Sequence, residues 1–190
     1  MHTSENPPTP MSTKDRLIDT AARLFREQGY HGTGLSEILK QSQTPKGSLY
    51  HHFPKGKSDL ALAAADWASK GMLQIIDDSF AQAVEFKDGA TTLCYKLGKL
   101  FDLHKDWRGC PISSMLFDQE TNDEFRVHSD KIYNDWHART IAHAVRLNHP
   151  TERCNEDTEA LLLMIQGAWS ISRARGSADI IRKIPQHLTL

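Results

Sequence analysis

The stretch from Thr44 to Lys57, TPKGSLYHHFPKGK, places lysines, hydroxyl groups and aromatic rings within a few residues of one another. Ammonium and hydroxyl groups of this kind bind phosphate oxygens through charge-assisted hydrogen bonds. The GKS at its end suggests the nucleotide-binding loop GxxxxGK[ST]. That loop needs a glycine where this chain has His51. A complete nucleotide loop is therefore excluded, and another kind of phosphate has to be considered.

The composition is that of a globular protein, with 39% hydrophobic and 25% charged residues among 190. This length allows one large domain, or a small domain attached to a larger one. The longest apolar stretch, Ala160–Ile165, is too short to span a membrane, and the chain starts without a secretory signal. We therefore expect a cytoplasmic protein with no membrane partner.

The charge is distributed unevenly along the chain. Residues 11–60 contain eight basic and five acidic side chains, whereas residues 61–190 contain fifteen basic and eighteen acidic ones. A modestly basic first segment on an acidic body indicates a polyanionic partner for the first segment only. Such an imbalance also arises by chance.

The three cysteines, Cys94, Cys110 and Cys154, are far apart and form no CxxC pair, which argues against a zinc ribbon, a thioredoxin-like motif or a disulfide framework. Cys110 lies close to Arg108 at the start of a predicted helix, and both features favour thiolate. It is a candidate sensor of oxidants or electrophiles. The alternative is a buried, inert thiol.

Apolar residues recur at helical spacing along most of the chain. Residues 1–12 are expected to be a disordered tail. Thr13 then caps a first helix that ends at Gly29. A second helix begins near Thr33, and a third begins with Thr44 as its cap and Pro45 as its first residue. A fourth helix begins near Ser58 and continues towards Phe86.

The remainder also predicts helices and no confident strand, so we expect an all-α fold of about nine helices. The domain boundaries are expected at 13–58 for a small N-terminal unit and 59–190 for a larger helical unit. The later helices are predicted at Gly89–His104, Ile112–Glu120, Asn122–Asn148, Glu156–Arg175 and Ser177–Leu188.

Two short helices joined by a tight turn have the spacing of a helix-turn-helix, whose second helix enters a DNA groove. Leu49 is expected in the core and Phe53 at the helix end. The alternative to a DNA-binding role is that Tyr50 and Phe53, three residues apart, are both core residues and that the lysines are only solvated. The candidate DNA contacts in this stretch are Thr44, Pro45, Lys46, Gly47, Ser48, Tyr50, His51, Lys55 and Lys57.

The segment Lys14–Leu60, and above all GTGLSEILKQSQTPKGSLYHHFPKGK, resembles the DNA-binding domain of TetR/AcrR-type transcriptional regulators. GKSDL at 56–60 and GCP at 109–111 are similar to the LmrA/YxaF-like branch. The resemblance implies a homodimeric, usually repressing, regulator on a palindromic operator, and it adds Thr33 to the DNA contacts. One departure is Gln43, where the family commonly has glycine, because glutamine adopts a left-handed conformation less easily.

A dimer is expected to use the last two helices, with close approach at Gly167 and Ala168. The alternative is that their apolar stripes cover only the protein's own core. The candidate interface residues are Leu161, Ile165, Ala168, Trp169, Ser172, Ile180 and Ile184.

Large side chains in the middle helices are candidates for a cavity that binds a small, mostly apolar effector, and some will be core. They are Trp67, Tyr95, Phe101, Met115, Phe125, Tyr133, Trp136 and Trp169.

The sequence favours no enzyme, cofactor or metal site, since GxSxG and HExxH motifs are missing. Glu124 and His128 are four residues apart on a predicted helix, but one such pair is weak evidence for a metal site, and an ordinary solvated helix face explains it better. The alternatives to a ligand-responsive repressor are an activator, an effector-independent regulator and a thiol sensor that uses Cys110.

Overall fold

A computed structural model describes residues 11–104, 112, 116 and 123–188. Within these residues the fold is all-α, with eight helices and no strand. The expected helix at Ile112–Glu120 lies mostly outside the described residues. The helices are α1 (Thr13–Gly32), α2 (Leu35–Gln41), α3 (Lys46–His52), α4 (Lys57–Phe80), α5 (Phe86–Leu103), α6 (Asp123–Arg146), α7 (Thr151–Arg175) and α8 (Asp179–His187).

The first helix begins and bends at positions that correct the sequence prediction. Ser12, not Thr13, is the cap, because the Ser12 hydroxyl accepts the backbone N–H of Asp15 at 3.1 Å. Gly29 has a φ of 77° and kinks the helix, and helical turns continue to Gly32. The hydrogen bond from the Asp15 N–H to the Ser12 hydroxyl pairs one of the N–H groups that the start of a helix leaves without a partner.

The helices α1, α2 and α3 form a small bundle that α4 closes. Leu17, Phe25, Ile38 and Leu49 are fully buried in it, as is Leu60 from α4. Burying side chains of this size contributes about 1.5–3 kcal/mol each. The outer surface of α3 is therefore held in place by its inner residue, Leu49.

The body of the molecule is formed by α4, α5, α6, α7 and α8. In it α4 packs against α5 and α6, α6 packs against α7, and α8 packs against α5 and α7. The α4–α5 approach depends on Gly89, since a Cβ there would lie 2.1 Å from the Phe80 ring. None of the described helices combines the length and apolarity that a membrane span requires.

Polar contacts join α4 to α6 over most of their length. The Trp136 indole donates to the Ser69 hydroxyl at 2.9 Å. His143 Nε2 lies 2.8 Å from Asp77 Oδ1, and Arg146 donates to the Phe80 carbonyl at 2.7 Å. Because these contacts are spread along both helices, α4 and α6 are expected to move together.

Candidate nucleic-acid interface and internal cavity

The third helix presents an exposed outer face. Lys46, Gly47, Tyr50 and His51 are exposed on it, and Ser48 is half-buried. Leu49 points inward and is fully buried. The helix begins after Pro45, which is its cap residue and not its first residue as expected, and the Pro45 carbonyl accepts the N–H of Ser48 at 3.0 Å. One edge of α3 is therefore open to a groove-sized partner.

The turn between α2 and α3 has the hydrogen bonds of a Schellman motif. The Gln43 N–H donates to the Lys40 carbonyl at 3.3 Å, and the Thr44 N–H donates to the Leu39 carbonyl at 3.0 Å. Gln43 has a φ of 52° and occupies the left-handed position where glycine is commonest. Arg16 of α1 donates to the Ser42 carbonyl at 3.3 Å and braces the turn. The glutamine therefore keeps the turn geometry that a glycine would provide.

Tyr50 lies against the start of α4. Its exposed fraction is 43%, and a Cβ on Gly56 would lie 3.4 Å from its ring. Gly56 also has a φ of 67°, which disfavours any other residue there. The Lys46 ammonium lies 5.9 Å from the centre of the Tyr50 ring. Glycine is therefore favoured at position 56 by its backbone conformation, and Tyr50 and Lys46 lie near each other on the outer face.

Two of the candidate phosphate-binding lysines are held by protein groups. Lys55 Nζ lies 3.0 Å from a carboxylate oxygen of Glu124, and this hydrogen bond raises the pKa of Lys55. Lys57 Nζ lies 4.2 Å from the centre of the Tyr30 ring, and burial lowers the pKa of Lys57. A DNA phosphate would have to replace these contacts to bind either ammonium.

The structure corrects the prediction for two threonines. Thr33 is fully buried, and its hydroxyl donates to the Gly29 carbonyl at 2.8 Å. Thr44 is also buried, and its hydroxyl donates to the Ser42 carbonyl at 3.2 Å. Both side chains close the ends of helices and offer almost no surface to a duplex, so any contact of these residues with DNA has to come from their backbone groups.

A cavity of about 480 Å³ lies between α1, α4, α5, α6 and α7. Three of the predicted effector residues line it: Trp67, Trp136 and Trp169. The sequence analysis did not predict the others. The lining residues of α4 recur every three or four positions, as in Ala68, Gly71 and Ile75, and this spacing could have indicated a shared helix face. The missed residues are Arg26, Ala68, Lys70, Gly71, Met72, Ile75, Leu97, Leu100, Ile112 and Gln166, together with Ile165, which was assigned to the dimer instead.

The remaining predicted effector residues lie elsewhere. Phe101 is buried, with its ring 5.6 Å from that of Trp169. Phe125 is buried against Tyr30, with ring centres 5.6 Å apart. Tyr95 is 64% exposed, Tyr133 lines a separate groove on α6 and α7, and Met115 lies outside the described residues. The structure therefore does not bring the four described side chains, Tyr95, Phe101, Phe125 and Tyr133, to the cavity lining.

Comparison with known proteins decides the family. The family model of bacterial regulatory proteins of the tetR family matches residues 17–64. The model of the LmrA/YxaF-like C-terminal domain of transcriptional regulators matches residues 88–187. The chain belongs to the TetR family.

Two relatives of this TetR-family regulator come from Bacillus subtilis. The chain is 31% identical over 163 residues to the uncharacterized HTH-type transcriptional regulator YxaF, covering 84% of both chains. It is also 31% identical over 172 residues to the HTH-type transcriptional regulator LmrA, covering 89% of this chain and 91% of LmrA. Both relatives are described as transcriptional regulators and not as enzymes.

Solved TetR-family structures share the fold. A TetR transcriptional regulator from Legionella pneumophila superposes with a TM-score of 0.79 at 15% identity, covering 95% of this chain and 97% of its own. FadR from Bacillus subtilis, in complex with stearoyl-CoA, superposes with a TM-score of 0.72 at 16% identity, covering 91% and 96%. At these identities the likeness concerns the fold alone.

The predicted dimer residues of this TetR-family protein are almost all inside the protomer. Leu161 and Ser172 have no exposed surface, and Ile165, Ala168, Trp169 and Ile184 retain at most 6%. Only Ile180 is half-buried. The apolar stripe covers the protein's own core, so its assignment to the interface is wrong. The apolar periodicity correctly predicted that this face of the helix is buried. It does not indicate whether the face packs against the same chain or against a second copy.

The exposed face of α7 has a different stripe. Leu163, Gly167 and Ile171 are exposed at intervals of four residues, and a Cβ on Gly167 would meet nothing within 4 Å. Four-residue spacing places them on one face of the helix.

The other sequence candidates have simple surroundings. Cys94 and Cys154 are buried, burial raises the pKa of Cys94 to about 12, and Cys110 lies outside the described residues. Glu124 pairs with Lys55, and His128 Nε2 lies 2.8 Å from Asp66. Among the residues that the structure describes, no group of three His, Cys, Asp or Glu could hold a metal ion.

Proposed function

We propose that this protein is a dimeric repressor that binds a palindromic operator through α3 and releases it when a small, mostly apolar molecule enters the cavity. The observation that carries the proposal is the position of the cavity. It is lined by Arg26 from α1 and by Trp67, Met72 and Ile75 from α4. The helices α1, α2 and α3 together form what we call the DNA-reading unit. An occupant would therefore touch α1, which belongs to this unit, and α4, which packs against it.

The fourth helix supports such coupling because it belongs to both parts of the molecule. Its first turn contains Leu60, which is buried beneath the reading unit, and its middle lines the cavity. A helix of this length extends for roughly 36 Å. A tilt of about five degrees would therefore move one end by roughly 3 Å. Displacement of this size is sufficient to misplace α3 in its groove, and a ligand causes it by binding the displaced form more tightly.

The cavity suits a small effector. Its volume of about 480 Å³ falls within the range of roughly 300–1,000 Å³ typical of ligand sites, and most of its lining is apolar. FadR, which shares the fold, binds stearoyl-CoA. This supports the use of a helical body of this kind for molecules with an apolar part.

The exposed stripe on α7 supports dimerisation. A single short helix reads only a few base pairs, so a second copy is needed for specificity. Leu163 and Ile171 are apolar, and Gly167 between them allows a partner helix to approach closely. We assign the two-fold contact to this face and to the half-buried Ile180 on α8.

The proposal is tested by gel shift with the protein's own upstream DNA. We expect Lys46→Ala and Tyr50→Ala to weaken binding at least tenfold while the dimer, measured by sedimentation, stays intact. Lys87→Ala removes an exposed lysine from α5 and is the control. Wild-type affinity in both α3 variants would contradict the contact assignment.

A test of release by an effector requires a variant whose side chain fills part of the cavity. Gly71 lines it, and a Cβ there meets nothing within 4 Å, so a larger side chain can start at this position and Gly71→Leu adds volume to the lining. We screen apolar compounds for release of the operator. We expect Gly71→Leu to keep DNA binding and to lose the response. A response equal to that of wild type would show that the effector does not bind here.

A further inference from the structure

Gln43 occupies the turn before α3 in a backbone conformation that its residue type disfavours. Its φ of 52° lies in the left-handed region, where most side chains are strained against the backbone. Among the described residues, Asn148 is the other non-glycine residue with a positive φ, and asparagine adopts this conformation more readily. Glycine would suit position 43 better for stability, so the presence of a glutamine side chain there needs another explanation.

The protein does not provide that explanation through a contact of the Gln43 side chain. This side chain is exposed, and within the described part of the chain its amide forms no hydrogen bond. Gln41, two residues earlier, is different: its amide accepts from Arg23 and donates to Glu37 at 3.0 Å. A strained residue whose polar group has no internal partner is a candidate for a contact with another molecule.

The turn holds Gln43 beside the leading end of α3. Lys46, the first residue of that helix, is three positions later and is exposed like Gln43. The backbone next to Gln43 is fixed, because the Ser42 carbonyl accepts from Arg16 at 3.3 Å. In a helix-turn-helix the N-terminal residues of the second helix contact base edges in the major groove. Gln43 therefore lies next to the part of α3 that would enter the groove.

We propose that Gln43 reads an adenine in each half of the operator, and this rests on the proposed function of α3. In the major groove adenine presents an acceptor, N7, beside a donor, the N6 amino group. A glutamine amide matches this pair, because it has one donor group and one acceptor oxygen. A matched pair of this kind favours adenine over other bases by roughly tenfold or more. The base contacts then extend from α3 into the turn that precedes it.

The strain and the base contact act on different quantities. Strain at Gln43 lowers the stability of the protein whether or not DNA is bound, whereas a contact with adenine exists only in the complex. Gln43→Gly should therefore raise the melting temperature and reduce base selectivity at the same time. A residue with a purely structural role would not change these two properties in opposite directions.

Selection from a library of random DNA duplexes tests this proposal before the operator is known. The full chain binds the library, and the retained duplexes are sequenced for wild type, Gln43→Gly and Gln43→Glu. We expect wild type to enrich an adenine at one position of each half-site, and Gln43→Gly to lose that preference while the other positions keep theirs. Gln43→Glu should replace this adenine by cytosine, whose N4 amino group donates to a carboxylate.

The affinity for two defined duplexes gives the size of the effect. One duplex has the enriched A·T pair and the other has a G·C pair in its place, and binding is measured by fluorescence anisotropy. We expect wild type to prefer the first by roughly tenfold and Gln43→Gly to bind both equally. Asn148→Gly is the matched control, because it removes a side chain from the same backbone conformation after the end of α6, in the body. We expect it to keep the wild-type preference.

An unchanged base preference in Gln43→Gly would overturn the inference, even if its affinity fell for all duplexes, because such a loss would indicate a phosphate contact. If wild type enriches a palindrome that depends on Lys46 but not on Gln43, only this inference fails. If wild type enriches no sequence at all, the proposed function fails together with it.

Discussion

Lys55 on the loop before α4 and Glu124 on α6 form an ion pair, with Lys55 Nζ 3.0 and 3.2 Å from the two carboxylate oxygens. Both side chains are more than a third exposed, so the pair is weak and exchangeable. It joins the DNA-reading unit to the body and occupies a lysine that we expect at the DNA backbone. The carboxylate of Glu124 and a DNA phosphate therefore compete for the same ammonium group.

Replacing Glu124 by glutamine should strengthen DNA binding. The change releases Lys55, and one added phosphate contact steepens the dependence of log affinity on log salt by about 0.9. We expect about a threefold to tenfold gain at low salt, measured by fluorescence anisotropy over a salt series. Asp123→Asn is the control, because it removes the same charge from the adjacent residue without touching Lys55. Identical gains in the two variants would show that only the overall charge matters.

Gly47 should separate stability from DNA binding. It lies within α3, and a Cβ there meets nothing within 4 Å. Alanine is favoured over glycine in a helix by roughly 0.8–1 kcal/mol, so Gly47→Ala should raise the melting temperature. It should nevertheless weaken operator binding, because the added methyl group stands between the backbone and the bases. Gly71→Ala should show the same stabilisation with unchanged DNA binding, and equal DNA affinity in both variants would mean that Gly47 does not approach the duplex.

The left-handed residues at two helix ends should respond differently to glycine. Gln43 ends α2 with a φ of 52°, and Asn148 ends α6 with a φ of 55°. A residue other than glycine in this conformation is strained by roughly 1–2 kcal/mol, and asparagine tolerates it best. We expect Gln43→Gly to raise the free energy of unfolding by about 1 kcal/mol and Asn148→Gly to raise it less. Chemical denaturation measures both, and a loss of stability in Gln43→Gly would contradict the argument.

Cys94 should make stability depend on alkaline pH. Burial raises the pKa of its thiol to about 12, whereas an unfolded cysteine ionises near 8.5. Between these values the unfolded chain loses the proton first, so the free energy of unfolding falls as pH rises through this window. Denaturation of wild type and Cys94→Ala across the window should show a smaller decline in the variant. Iodoacetamide should leave Cys94 unlabelled at neutral pH, because thiolate is the reactive form.

Much of the DNA-reading unit was predictable because its signals are local. The cap region, the short helices and the buried Leu49 follow from residue type and spacing along the chain. The burial of the Thr33 and Thr44 side chains was not predictable, because a hydroxyl near a helix end can equally well donate an internal hydrogen bond to a carbonyl.

The body was less predictable because its apolar stripes have several possible partners. Ile165 was expected only at the dimer contact and lines the cavity, whereas Trp169 was expected at both places and lines the cavity. Arg26 belongs to a segment that reads as DNA-binding, yet its side chain reaches the body. Apolar periodicity in the sequence indicates that one face of a helix is buried. The packing of helices that are distant in the sequence decides which residues bury that face.

The order of residues by itself determined an all-helical chain, its helix-turn-helix and its family, since these depend on hydrophobic spacing, turn chemistry and a contiguous motif. Only the tertiary structure decided that Lys55 is paired with Glu124, that Leu161, Ile165 and Trp169 of α7 are internal, and that a largely apolar cavity lies beside α4. The physical reason is that each of these features joins residues far apart in the chain, and their separation in space is set by the packing of whole helices.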